Sequence, residues 1–119
     1  MAAALDAAHA LRRTVSSHAH GTRGIKNAML AGLDSIEHGT YLDDETADMM
    51  VERGASLVLT LGVGNPRTTD PAQLTPVQVA DLKRREHMLA RGQAQIRKTI
   101  ALAREKGVHL GCGSDAGGN

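Results

Sequence analysis

Three residues whose chemistry suits metal binding, His18, His38 and Asp115, stand in stretches that read as strand ends running into glycine: SSHAHG, SIEHG and GCGSDAG. Two neutral imidazoles and a carboxylate form a ligand set suited to Zn²⁺ or a similar divalent ion. Water bound to such an ion is a nucleophile at neutral pH, and Asp115 would either ligate the ion or take the proton from that water. The competing reading is a His that is simply hydrogen-bonded in a polar strand cap. His20 adds a second ligand-type spacing, His18-x-His20, with both rings on one face of a strand.

The spacing between these residues sets what must position them. His18 and His38 are 20 positions apart, one strand-plus-helix step, so adjacent strands would present both imidazoles side by side. Asp115 follows His38 by 77 positions, which fits two further steps with one enlarged helical connection. Ala2 to Arg12 places apolar residues at helical spacing and ends in the basic pair Arg12 and Arg13. Thr14 to His20 alternates as a strand, with His18 and His20 on the same face. Thr22 is a candidate cap for a helix that Gly32 ends, and Leu33 to His38 is a second strand.

Asp43 and Asp44 open a further helix, with Ala47, Met50 and Val51 facing inward and Gly54 at its end. Ala55 to Leu61 is an apolar run of the kind a parallel sheet covers on both faces. Gly62 to Leu74 has turn chemistry without periodicity, and its length marks a functional loop. Thr75 and Pro76 begin a long helix, whose stripe of Val79, Leu82, Leu89, Ile96, Ile100 and Ala103 continues to Gly107 and which Gly92 would weaken or bend. Val108 to Cys112 is the last strand. The order αβαβαβαβ points to a parallel sheet with right-handed crossovers, whose ligands gather at the carboxyl ends of the strands.

Composition narrows the function classes. The chain has 119 residues, enough for one core, with 41% hydrophobic and 23% charged residues. Tyr41 is the only aromatic residue, so the core must be built from Leu, Ile, Val, Met and Ala. A net charge of +1 and the lack of stacking aromatics argue against a nucleic-acid partner. Cys112 is the single cysteine, which excludes an intrachain disulfide and suits a reducing compartment. No run approaches the roughly 18 to 20 apolar residues of a spanning helix. The expectation is a soluble, cytoplasmic protein without a membrane partner.

Other tempting residues read as structural. Cys112 is expected to be a small buried residue. Lys83, Arg84, Arg85, Arg91, Arg97 and Lys98 are expected to form a solvated helix face balanced by Asp81, Glu86 and Glu105. Met49, Met50 and Met88 are helix packing or surface, and His9, His87 and His109 lie away from the strand ends. Glu37 alternates away from His38 and reads as a structural or supporting group rather than a base. Gly62, Gly64 and Asn65 could line the mouth of a site but lack the Lys and spacing of a phosphate-binding loop.

VSSHAHG, GLDSIEHGTYLDDETADMMVERG and GCGSDAGG together resemble the fifth, sixth and eighth strand regions of the metal-dependent amidohydrolase superfamily. The similarity is greatest to its imidazolonepropionase-like and Xaa-Pro dipeptidase-like members and covers nearly the whole chain in order. It implies an α/β fold, a partial TIM (β/α)8 barrel of about four βα units corresponding to strands 5 to 8. It further implies that His18 and His38 bind one metal, that Asp115 binds the other or acts as general base, and that His20 contacts substrate.

The family's His-x-His pair on the first strand and Lys on the fourth have no counterpart here. A whole barrel takes about 250 residues, so residues 1–119 are expected to be a partial catalytic barrel domain, its C-terminal half. The implied cofactor is a divalent metal, zinc foremost, binuclear in full-length members. The implied activity is hydrolysis of a C–N bond in a small molecule or dipeptide through a metal-activated hydroxide. The alternative is a non-catalytic half-barrel module that binds a ligand or metal, with open sheet edges available for self-association.

Overall fold

In a computed structural model, which describes residues 2–61 and 75–115, four strands alternate with four helices. The elements are α1 (Ala2–Ala10), β1 (Ser16–Ala19), α2 (Thr22–Ala31), β2 (Ser35–His38), α3 (Asp44–Arg53), β3 (Ser56–Leu59), α4 (Pro76–Lys106) and β4 (His109–Cys112). The strands form one sheet in the order β1-β2-β3-β4, each pair parallel. No helix among the described residues is long and apolar enough to cross a membrane.

Local chemistry explains the boundaries. Asp43 caps α3 in a capping box: its carboxylate accepts the Thr46 amide at 2.9 Å, and the Thr46 hydroxyl accepts the Asp43 amide at 3.1 Å. Thr75 and Gln78 form the same device at the start of α4, where Pro76 occupies the first turn. α2 differs from expectation. Its N-cap is Gly21, without a side-chain cap, because the Thr22 hydroxyl is used elsewhere, donating to the Tyr41 carbonyl at 2.6 Å. α2, α3 and α4 each end on a left-handed glycine, Gly32, Gly54 and Gly107, which closes the last turn without Cβ strain. α4 runs unbroken through Gly92 for 31 residues, about 46 Å at 1.5 Å per residue.

The core lies between one sheet face and the helices. Ile25 and Met29 of α2, Ile36 of β2, Met50 of α3 and Leu57 of β3 are fully buried there. Leu5 brings α1 into the same cluster. α1 is also tied by polar contacts: His9 Nε2 lies 2.9 Å from the Asp34 carboxylate, which accepts the Val15 amide at 2.7 Å. These bonds, the His9 contact foremost, hold the Asp34 carboxyl below its ordinary range.

Three expectations are corrected by this packing. Val51 is exposed, because the inward stripe of α3 runs through Thr46, Ala47 and Met50 and leaves Val51 on its flank. Among the described residues β3 is fully covered on one face only: Leu57 and Leu59 are buried in the core, while Ser56 and Val58 are half-buried on the opposite face. Cys112 is exposed, since β4 pairs with β3 alone among the described residues. Arg91, Arg97 and Lys98 do lie on an exposed face of α4. The Gly62 to Leu74 loop, with Gly62, Gly64 and Asn65, falls outside the described residues, as do the side chains of Lys83, Arg85 and His87.

Candidate metal-binding site at the strand ends

Regular pleating would not bring His18 and His38 together. In the register of β1 and β2, His18 pairs with Glu37, and His38 pairs with the buried Ala19. A regular strand would therefore turn His38 toward the helices, on the face of Ile36. Instead His38 has φ 74°, a left-handed backbone that non-glycine residues seldom adopt. The alternation breaks there, and the ring joins the opposite face.

Three imidazoles then meet. The His18 and His38 ring centroids are 4.3 Å apart, those of His18 and His20 4.7 Å, and those of His20 and His38 4.6 Å, the last pair stacked. One ring nitrogen from each lies within 4.8 Å of the others, a spacing that could hold a metal ion. Backbone hydrogen bonds beyond the strands fix the geometry: the Gly39 amide donates to the Ala19 carbonyl at 2.9 Å and the Tyr41 amide to the His20 carbonyl at 2.8 Å. Gly39 itself has φ 55°, and a Cβ there would collide with the buried Leu57 side chain.

Two threonine hydroxyls set the ring orientations. His20 Nδ1 is 2.7 Å from Thr40 Oγ1, and His38 Nδ1 is 2.5 Å from Thr60 Oγ1. When Nδ1 donates to the hydroxyl, Nε2 of His20 and of His38 is the nitrogen available to a metal. The His20 pKa is lowered by partial burial and by the neighbouring His38 and His18 rings, which favours the neutral form that ligation needs. The donor chemistry fits a divalent ion.

Asp115 is placed differently. It is exposed, lies just beyond β4, and does not enter the histidine group; β3 stands between β4 and β2. At about 4.8 Å per strand step the ends of β2 and β4 are nearly 10 Å apart. Like His38 it has a left-handed backbone, φ 49°. Arg12 is the only other described non-glycine residue with positive φ, so two of three such residues are site candidates. Glu37 accepts the Ser16 hydroxyl at 2.7 Å and ties β1 to β2.

Thr40 and Thr60 were not singled out by sequence reasoning. The only available signal was their place two residues after His38 and one after β3. Beside the histidines a cleft of about 270 Å³ opens between the ends of β2 and β3 and helix α4. Its polar side is His20, His38, Thr40 and Thr60; its apolar side is Leu59, Leu61 and Ile96, with Tyr41 at the rim.

A run of parallel βα units with a histidine cluster at the strand ends is the architecture of part of a TIM (β/α)8 barrel. The chain belongs to the Amidohydrolase family, whose profile it matches over residues 1–119. It is 38% identical over 117 residues to an uncharacterized protein of Mycobacterium tuberculosis, covering 97% of this chain and 30% of that protein. It is 45% identical over 51 residues to the ochratoxinase of Aspergillus niger, 43% of this chain and 11% of that one.

Among solved structures, a Xaa-Pro dipeptidase with bound methionine in the active site superposes with a TM-score of 0.71 at 38% identity, over 97% of this chain and 27% of that chain. The A. niger ochratoxinase superposes with a TM-score of 0.74 at 28% identity, over 96% of this chain and 24% of that chain. A prolidase complexed with N-methylphosphonate-L-proline gives 0.73 at 32% identity, over 96% and 27%. The chain thus spans less than a third of the length of these relatives.

Proposed function

We propose that this chain is part of a metal-dependent hydrolase that cleaves the C–N bond of a dipeptide or N-acylated amino acid. The observation that carries this reading is the convergence of His18, His20 and His38, with His20 and His38 oriented through Nδ1 by Thr40 and Thr60. A bound divalent ion would supply a water activated at neutral pH and polarise the scissile carbonyl. His18 and His38 would hold the ion through neutral ring nitrogens. His20 lines the cleft and is assigned to substrate contact. Asp115 would take the proton from the attacking water and return it to the leaving amine. The amino-acid class is supported by the methionine and the proline phosphonate held by the two structural relatives. Zinc and a cytoplasmic site of action belong to the same proposal.

The test is metal titration and hydrolysis of a dipeptide and N-acyl amino acid panel. About one weakly held ion is expected per chain, lost in His18→Asn and His38→Asn and retained in His20→Asn. Hydrolysis by the full-length protein that contains this chain is expected to vanish on chelation and return on adding Zn²⁺. Absence of metal binding would overturn the proposal. Binding of metal through His18 and His38 without hydrolysis of any panel member would favour a non-catalytic module instead.

A further inference from the structure

Gly92 occupies an unusual position for its residue type. It lies in the interior of α4, seventeen residues into the helix counting from the Thr75 cap, where glycine is among the least favourable residues. Its backbone does not call for glycine: its φ is not positive. Close packing does not call for it either, since a Cβ built at Gly92 meets nothing within 4 Å among the described residues. What Gly92 does border is the cleft that also contains His20 and His38. Among the described residues the missing side chain leaves open space in the cleft that Leu59 and Leu61 also line.

We infer that Gly92 sets the size of a subsite for the apolar side chain of the substrate, in the cleft between α4 and the ends of β2 and β3. This rests on the reading of the chain as an amide hydrolase. The chemistry of the walls selects the ligand class. Leu59, Leu61 and Ile96 offer an apolar surface, while the polar groups cluster at the histidine end. A substrate would place its amide against His20 and His38 and its side chain along the leucines. The volume of about 270 Å³ lies below the roughly 300 to 1,000 Å³ of sites that enclose a whole drug-sized ligand. It suits one amino-acid side chain and its adjoining amide.

The experiment compares the wild-type protein with Gly92→Ala and Gly92→Leu on N-acetyl amino acids whose side chain grows from Gly through Ala to Leu and Met. Binding of the corresponding N-acetyl amino-acid amides is followed in parallel by Tyr41 fluorescence, which is free of tryptophan background. Thermal melting checks the fold, and both variants are expected to melt no lower than the wild type, because a helical glycine is replaced. For the wild type, kcat/KM is expected to rise with side-chain size. Gly92→Leu is expected to lose about tenfold or more on the Leu and Met substrates and to keep the Gly substrate, with Gly92→Ala between.

Hydrolysis with an unchanged size profile in Gly92→Leu would overturn the inference and leave the hydrolase reading standing. If nothing is hydrolysed, size-dependent amide binding that Gly92→Leu blocks would support the subsite independently of the hydrolase reading. Amide binding that ignores both side-chain size and the substitution would overturn the subsite.

Discussion

His38 Nδ1 lies 2.5 Å from the hydroxyl oxygen of Thr60, a residue just past the end of the neighbouring strand. The contact holds a ring whose backbone already departs from strand geometry. Removing the hydroxyl should release the ring while leaving its volume nearly filled. Thr60→Val is expected to lower metal affinity by about 10- to 100-fold, the usual effect of losing a partner behind a ligand. Calorimetric titration with Zn²⁺ checks it, and an affinity equal to wild type would remove Thr60 from the site.

Thr99 provides the link between α4 and the histidine end. Its buried hydroxyl donates to the Thr40 carbonyl at 2.7 Å, across 59 positions of sequence. Thr99→Val would leave that carbonyl without this donor, at a cost of about 1–3 kcal/mol. A fall in melting temperature is expected, together with weaker ligand binding in the cleft. A Thr99→Ser variant should keep most of both.

Gly39 is constrained twice, by φ 55° and by the Leu57 side chain that a Cβ would strike. Leu57 is fully buried and has little room to move. Gly39→Ala is expected to destabilise the fold by about 1–3 kcal/mol from overpacking alone, with the left-handed strain added. Because Gly39 follows His38, metal affinity should fall with stability. Denaturant unfolding and zinc titration on the same samples measure both.

Asp43 should give stability a measurable pH dependence. Its carboxyl is held below the ordinary value of 3.8, chiefly by the Thr46 side chain. A lowered folded-state pKa means that the ionised form is favoured by folding. The contribution is therefore complete above the unfolded value and is lost as pH falls through the lower folded value. Asp43→Ala is expected to cost about 0.5–2 kcal/mol at neutral pH. Asp43→Asn, which can still cap, should cost less and flatten this part of the acid limb of the stability curve.

The succession of elements was legible in the sequence because its signals are local. Caps such as Asp43 and Thr75 and the terminal glycines Gly32, Gly54 and Gly107 act within a few residues of themselves. Alternation in Thr14 to His20 likewise placed His18 and His20 on one face. The apolar run at β3 was less informative, since a run of Val and Leu does not say which face a neighbouring element covers. The same ambiguity concealed the exposure of Cys112 and Val51.

The sequence by itself determined that this chain is a series of βα units with His18, His20 and His38 at strand ends. Residue type and short-range periodicity suffice for that. Only the tertiary structure decided how the rings meet. The register pairs His18 with Glu37 rather than His38, and the left-handed turn at His38 compensates by carrying its ring across the sheet. The contacts of Thr40 and Thr60 with the histidines, and the place of Gly92 on the cleft wall, arise in the same way. They depend on residues from separate elements approaching in space, and no local pattern in the chain encodes that approach.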